Sequence, residues 1–147
     1  MKLVIDASVA VKWFVGEDRH ELARDVLRDG FLLAAPDLLL VEVANALRNK
    51  VRTKIMEEPQ AKAAIHVLPE YFERLVRPSD SLAKAFDLAC RLNHSVADCV
   101  YLVCALEDGT ALLTDDEKLF KKARAVPNLR IVLLQDWQPD VAVAPKA

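Results

Sequence analysis

Three glycines in 147 residues leave few positions for the tight turns that an all-β chain needs. Cysteine is scarce too: Cys90, Cys99 and Cys104 are an odd number, in apolar surroundings and without close ligand spacing. They read as reduced core thiols of a cytoplasmic protein rather than as a disulfide framework or a zinc site. No apolar run reaches the roughly 20 residues of a membrane-spanning helix, and Asp6 and Lys12 break the opening stretch too early for a signal peptide. A net charge of −2 gives the whole molecule no electrostatic preference for nucleic acid and leaves only local basic patches for that role. What is present is ordinary for a soluble domain, 53% hydrophobic and 29% charged, in a chain long enough for one proper core.

Apolar spacing divides the chain into alternating strands and helices. Strands are predicted at 2–5, 31–34, around Leu75-Val76, at 111–113 and at 131–133. The first helix spans 8–14 and ends near Gly16, and the next carries Leu22, Ala23, Val26 and Leu27 up to Gly30. Pro36-Asp37 opens a helix over 37–53, and Pro59 opens one with Ala61, Ala64, Ile65 and Leu68 on one face. Ser79 or Ser81 caps a helix whose apolar repeat is Leu82, Phe86 and Ala89, Ser95 starts one ending near Gly109, and the last runs from Asp116 to Ala125. The strands are continuous apolar runs, as in a parallel sheet covered on both faces. The expected fold is therefore a three-layer α/β/α domain over residues 1–138, with a central, mostly parallel β-sheet of four to five strands. Residues 139–147, with Pro139 and Pro145, read as a loose tail.

Carboxylates recur at the boundaries of these elements. Asp6 ends the first strand, where open α/β sheets keep their sites. Glu42 shares a polar stripe with Asn45 and Asn49 in an otherwise apolar helix, a pattern that a solvated face also produces. Asp98 stands three residues after Ser95, which a capping box explains by itself. Asp115 and Asp116 follow the strand Ala111–Leu113 and Thr114; two adjacent side chains cannot face one point, and either acid also serves as a helix cap. Taken together, a parallel sheet would gather these acids at one edge, where their repulsion calls for a cation. Oxygen-only ligands suit Mg²⁺ or Mn²⁺. His20, His66 and His94 are scattered and read as surface or structural, with His94 nearest the acids.

Four segments, VIDASVAVKWFV, PDLLLVEVANAL, SVADCVYLVCALEDG and LLTDDEKLF, occur in this order. Over about residues 2–138 the chain resembles the PIN-domain family of metal-dependent ribonucleases, and within it the VapC toxins of toxin–antitoxin pairs. The resemblance implies that Asp6, Glu42, Asp98 and Asp116 form the acidic quartet. It selects Asp116 over Asp115 because the family reads Thr, a variable residue, then Asp. Ser8 and Thr114 would support the site, Asp115 would fill the variable slot, and Asn45 would orient ligands or touch substrate. The implied activity is RNA hydrolysis by a metal-activated water, with Mg²⁺ or Mn²⁺ and no covalent intermediate. Asp6 and Asp98 would hold the principal ion, Asp116 would complete its shell, and Glu42 would ligate the ion or take a proton from the water. A VapB-like antitoxin and a homodimer, through the 37–53 helix or the one after it, are the implied protein partners.

RNA needs cations as well as a metal. Arg48, Lys50, Arg52 and Lys54 form an interrupted basic run beyond Glu42, and Lys12 stands near the first acid. Phosphate contacts of this kind position RNA without reading its sequence. Trp13-Phe14 reads as core or dimer packing. Other functions fit parts of the pattern: a PIN-type RNA-processing nuclease with no toxin role, an aspartate-based phosphatase or phosphotransfer protein, and an inactive PIN scaffold. The phosphatase would want an acid where Ser8 stands, the phosphotransfer domain a lysine placed more clearly than Lys118, and the scaffold a missing acid.

Overall fold

The computed structural model describes residues 1–142. Strand β1 (Lys2–Ile5) leads into α1 (Ala7–Ala10), a 3₁₀ turn at Val11–Trp13 and α2 (His20–Arg28); β2 (Leu32–Pro36) is followed by α3 (Leu38–Arg52) and α4 (Glu58–Val67). Then come β3 (Arg74–Val76), α5 (Leu82–Leu92), α6 (Val96–Asp108), β4 (Ala111–Thr114), α7 (Glu117–Ala123) and β5 (Arg130–Leu133). Among the described residues no helix is long and apolar enough to cross a membrane.

All pairings in the five-stranded sheet are parallel, in the order β3-β2-β1-β4-β5. The chain steps from β1 outward to β3, then returns to the other side of β1 for β4 and β5. Right-handed crossovers therefore send α1–α4 to one face and α5–α7 to the other. The direction reverses between β1 and β4, which opens a crevice at their carboxyl ends.

Burial follows from this arrangement. Leu3, Val4 and Ile5 of β1 are fully buried between two strands and two helical layers, hence their unbroken apolar run. Helix α6 buries every residue from Cys99 to Ala105 because it lies on β1, β2 and β4 with α5 over its back. Trp13 is core: its indole N–H donates to Ala23 O at 2.9 Å, and its ring packs against Tyr71 and Phe72.

Three expectations change. Helix α5 buries Ala85, Leu88 and Ala89, while Leu82 and Phe86 are exposed. Both sets have helical spacing, but the small alanines let α6 approach closely. Cys90 is exposed, and only Cys99 and Cys104 are core thiols. The first helix shortens to Ala7–Ala10 and tightens into the 3₁₀ turn. The expected tail begins with a 3₁₀ turn at Pro139–Ala142, and residues 143–147 lie outside the described residues.

Candidate metal centre

Register brings the first acid to the crevice. Ile5 pairs with Leu113, and Asp6 N–H extends the ladder to Leu113 O at 3.0 Å, so Asp6 lies beside Thr114. Thr114 Oγ1 donates to Asp6 Oδ2 at 2.8 Å, and Ser8 Oγ donates to the same oxygen at 2.6 Å. Each hydroxyl also accepts from the next loop: Asp115 N–H reaches Ser8 Oγ at 2.9 Å and Asp116 N–H reaches Thr114 Oγ1 at 3.0 Å. The two supporting hydroxyls thus tie the β1–α1 and β4–α7 turns together around one carboxylate. Burial pushes the Asp6 carboxyl up to about 6; the two hydroxyls oppose this, and the charges of Asp98 and Glu42 add to it.

Helix α6 starts at this edge. Ser95 Oγ accepts Asp98 N–H at 3.2 Å, the N-cap bond expected of the pair. The Asp98 carboxylate, however, turns to His94, whose Nε2 lies 2.6 Å from Oδ2. Asp116 caps α7 by accepting Leu119 N–H on Oδ1 at 3.0 Å. Ligand atoms of His94, Asp98 and Asp116 all lie within 4.8 Å of one another, a span that one divalent cation can bridge. The donor set fits such an ion: carboxylates at a switch point, with the repulsion among Asp6, Asp98 and Glu42 left for a cation to offset.

Glu42 enters from α3. Tyr101 Oη, fully buried on α6, donates to Glu42 Oε1 at 2.6 Å. Burial raises the Glu42 carboxyl pKa; the Tyr101 hydrogen bond opposes the rise and the Asp98 charge reinforces it.

Asp115 has a different task from Asp116. Arg19 grips it with two bonds, Nε to Oδ1 at 2.7 Å and Nη2 to Oδ2 at 3.1 Å, and Lys12 Nζ lies 3.2 Å from Oδ2. Lys12 also pairs with Glu17 at 3.3 Å, and Glu17 with Lys50 at 3.0 Å. The expectation that Lys12 is an RNA contact is therefore corrected: it is 6% exposed and spends its charge on two partly buried anions, Glu17 and Asp115. Lys50 is half-buried in the same network, while Asn45, Arg48, Arg52 and Lys54 are exposed.

His94 lies with the acids, hydrogen-bonded to Asp98 and enclosed, and not on the surface. Its place four residues before Asp98 carries a signal, although His94 itself precedes the N-cap of α6. Tyr101, one turn after Asp98 in an apolar helix, also carried a signal, since a buried tyrosine hydroxyl needs a polar partner.

Comparisons with known proteins follow the same outline. The PIN domain family pattern matches residues 3–125. The chain is 35% identical over 128 residues to ribonuclease VapC3 of Pyrobaculum aerophilum, covering 86% of this chain and 98% of the relative. It is 30% identical over 118 residues to ribonuclease VapC1 of Mycobacterium tuberculosis, covering 79% and 86%. Among solved structures, PAE2754 from Pyrobaculum aerophilum aligns with a TM-score of 0.72 at 20% identity, over 98% of this chain and 91% of that one. VapBC2 from Rickettsia felis, bound to a DNA fragment from its promoter, aligns with a TM-score of 0.64 at 14% identity, over 94% and 100%. These two likenesses extend to the fold.

Proposed function

Because the chain belongs to the PIN-domain family, we propose that it is a metal-dependent endoribonuclease toxin of the VapC kind, hydrolysing RNA phosphodiester bonds. The observation that carries this reading is the grouping of the Asp98 and Asp116 carboxylates within bridging distance at the sheet's switch point, with Asp6 and Glu42 electrostatically coupled to Asp98. Asp6, Asp98 and Asp116 would hold Mg²⁺ or Mn²⁺, with Glu42 beside them. A bound ion of this kind supplies an activated water and offsets charge on the scissile phosphate.

The chain's own residues prepare that chemistry. Ser8 and Thr114 hold Asp6 Oδ2 and so orient its other oxygen. Glu42, with one oxygen held by Tyr101 and its pKa raised by burial, is suited to take a proton from the attacking water on its other oxygen. Asp115 anchors the loop that presents Asp116. The exposed Arg48, Arg52 and Lys54 would contact RNA phosphates.

The surface of the α3–α4 hairpin supports the reading of a protein partner. A groove of about 750 Å³ lined by Phe14, Val15, Ile55, Met56, Ala64 and Val67 supports a protein partner there, a VapB-like antitoxin or a second copy of the chain.

The test is cleavage by the purified protein, freed of any bound partner, of tRNA, rRNA and single-stranded oligonucleotides with Mg²⁺ or Mn²⁺. Cuts abolished by EDTA and by Asp98→Asn are expected. Failure to cut any RNA, together with failure to bind either ion, would overturn the reading.

A further inference from the structure

The family resemblance supplies four carboxylates and no nitrogen, yet the structure puts an imidazole among them. We infer that His94 Nε2 is itself a ligand of the ion, and that this mixed nitrogen–oxygen site selects Mn²⁺ over Mg²⁺. The inference rests on the metal-dependent reading above and adds to it the identity of the ion.

The ring is built into place. Asn93 ends α5 in the left-handed conformation, with φ +50°, and His94 N–H returns to Ala89 O at 3.1 Å. Lys122 Nζ on α7 donates to Asn93 O, and Ser95 then caps α6. Three helices thereby hold the short loop that carries the ring. The His94 side chain is only 8% exposed, an enclosure that a ring serving only as a solvated helix flank would not need.

Distances favour shared ligation. Nε2 is 2.6 Å from Asp98 Oδ2, and a ring nitrogen of His94, a carboxylate oxygen of Asp98 and one of Asp116 all lie within 4.8 Å of one another. Two donors in neighbouring corners of an octahedral shell at about 2.1 Å from the ion stand about 3 Å apart, so the pair need part by only a few tenths of an ångström. Ligation uses the Nε2 lone pair and so requires the ring to carry its proton on Nδ1. Asp116 keeps Oδ1 on Leu119 N–H and offers its other oxygen.

The choice of ion follows from donor type. Mg²⁺ gives up water reluctantly and prefers oxygen, whereas first-row transition ions accept imidazole more readily. A site with His94 in the shell penalises Mg²⁺ relative to Mn²⁺, and an all-carboxylate site does not.

The experiment titrates metal-free protein with Mn²⁺, following the free ion by electron paramagnetic resonance, with Mg²⁺ as competitor. Wild type is expected to favour Mn²⁺ by at least about tenfold. His94→Gln should lose at least about tenfold in Mn²⁺ affinity, the scale on which metal sites respond to altered ligand shells, while Mg²⁺ affinity stays within about threefold. Pulsed resonance should detect ¹⁴N coupling to bound Mn²⁺ in wild type and in His20→Gln, and none in His94→Gln. An unchanged Mn²⁺:Mg²⁺ ratio without nitrogen coupling, while Asp98→Asn abolishes binding, would overturn the inference and leave the carboxylate site standing. Mn²⁺ binding that survives Asp98→Asn and Asp116→Asn would overturn the underlying reading instead. Should His94→Gln fail to fold, nitrogen coupling in wild type, His20→Gln and His66→Gln decides the matter.

Discussion

Tyr101 Oη and Glu42 Oε1 stand 2.6 Å apart, joining the two helices that bring acids to the crevice from opposite faces of the sheet. Tyr101→Phe removes the donor and leaves the half-buried carboxylate unpaired on that oxygen. The expected cost is about 1–2 kcal/mol in urea unfolding. Because the hydrogen bond opposes the upward shift of Glu42, its loss raises that pKa further. The acid limb of the pH–rate profile should therefore move to higher pH.

Asp6 makes the metal-free protein sensitive to pH. Its folded pKa, pushed up to about 6 from 3.8 by burial, means that the folded state keeps a proton which the unfolded chain has released. This contribution to stability is complete below about pH 4 and lost as pH rises through 6. In EDTA, Asp6→Asn should be more stable than wild type at pH 7.5 by up to about 3 kcal/mol, the free-energy equivalent of that shift. The advantage should vanish below pH 4, as checked by melting curves across the range. The same variant should cut no RNA, and Mn²⁺ binding by wild type should weaken as pH falls through 6.

Asp115 and Asp116 should separate cleanly. Asp116→Asn retains an N-cap oxygen but loses ligand charge, so it should melt within about 1 kcal/mol of wild type while metal binding and cleavage disappear. Asp115→Asn strips Arg19 and the buried Lys12 of a shared anion and should cost about 3 kcal/mol. It should retain measurable metal-dependent cleavage under conditions where it is folded. Equal loss of metal binding in both variants would contradict this division.

Lys12 and the cations at and beyond the end of α3 should differ in their response to salt. RNA binding by the Asp98→Asn protein loses about 0.7 in log–log salt slope for each phosphate contact removed on a single strand. Combined Arg48→Gln, Arg52→Gln and Lys54→Gln should flatten the slope by about 2. Lys12→Met should leave the slope alone and destabilise the fold by about 1–3 kcal/mol, moderated because Glu17 and Asp115 each keep a second cation. Filter binding across a salt series distinguishes the two.

Most of the scaffold was legible because its signals are local. Leu3-Val4-Ile5 and Ala111-Leu112-Leu113 could only be strands buried on both faces, and Ser95 and Gly109 mark the ends of α6 by capping chemistry. The face of α5 was not legible, since Leu82/Phe86 and Ala85/Leu88/Ala89 share one period and only contact with α6 separates them. Nor was the fate of Lys12, whose position in sequence beside an acid says nothing of Asp115, its partner 103 residues away.

By itself the sequence determined the alternation of strands and helices, and with it the parallel sheet and the edge at which its strands end. These follow from hydrophobic period and capping, which act over a few residues. Only the tertiary structure decided which neighbours each charge meets: His94 against Asp98, Tyr101 against Glu42, and Asp115 held by Arg19 and Lys12 while Asp116 groups with His94 and Asp98. Such pairings depend on β1–β4 register and on the packing of α6 across the sheet. The energy of a charge depends on what lies within a few ångströms of it, not on how far apart its partners are in sequence.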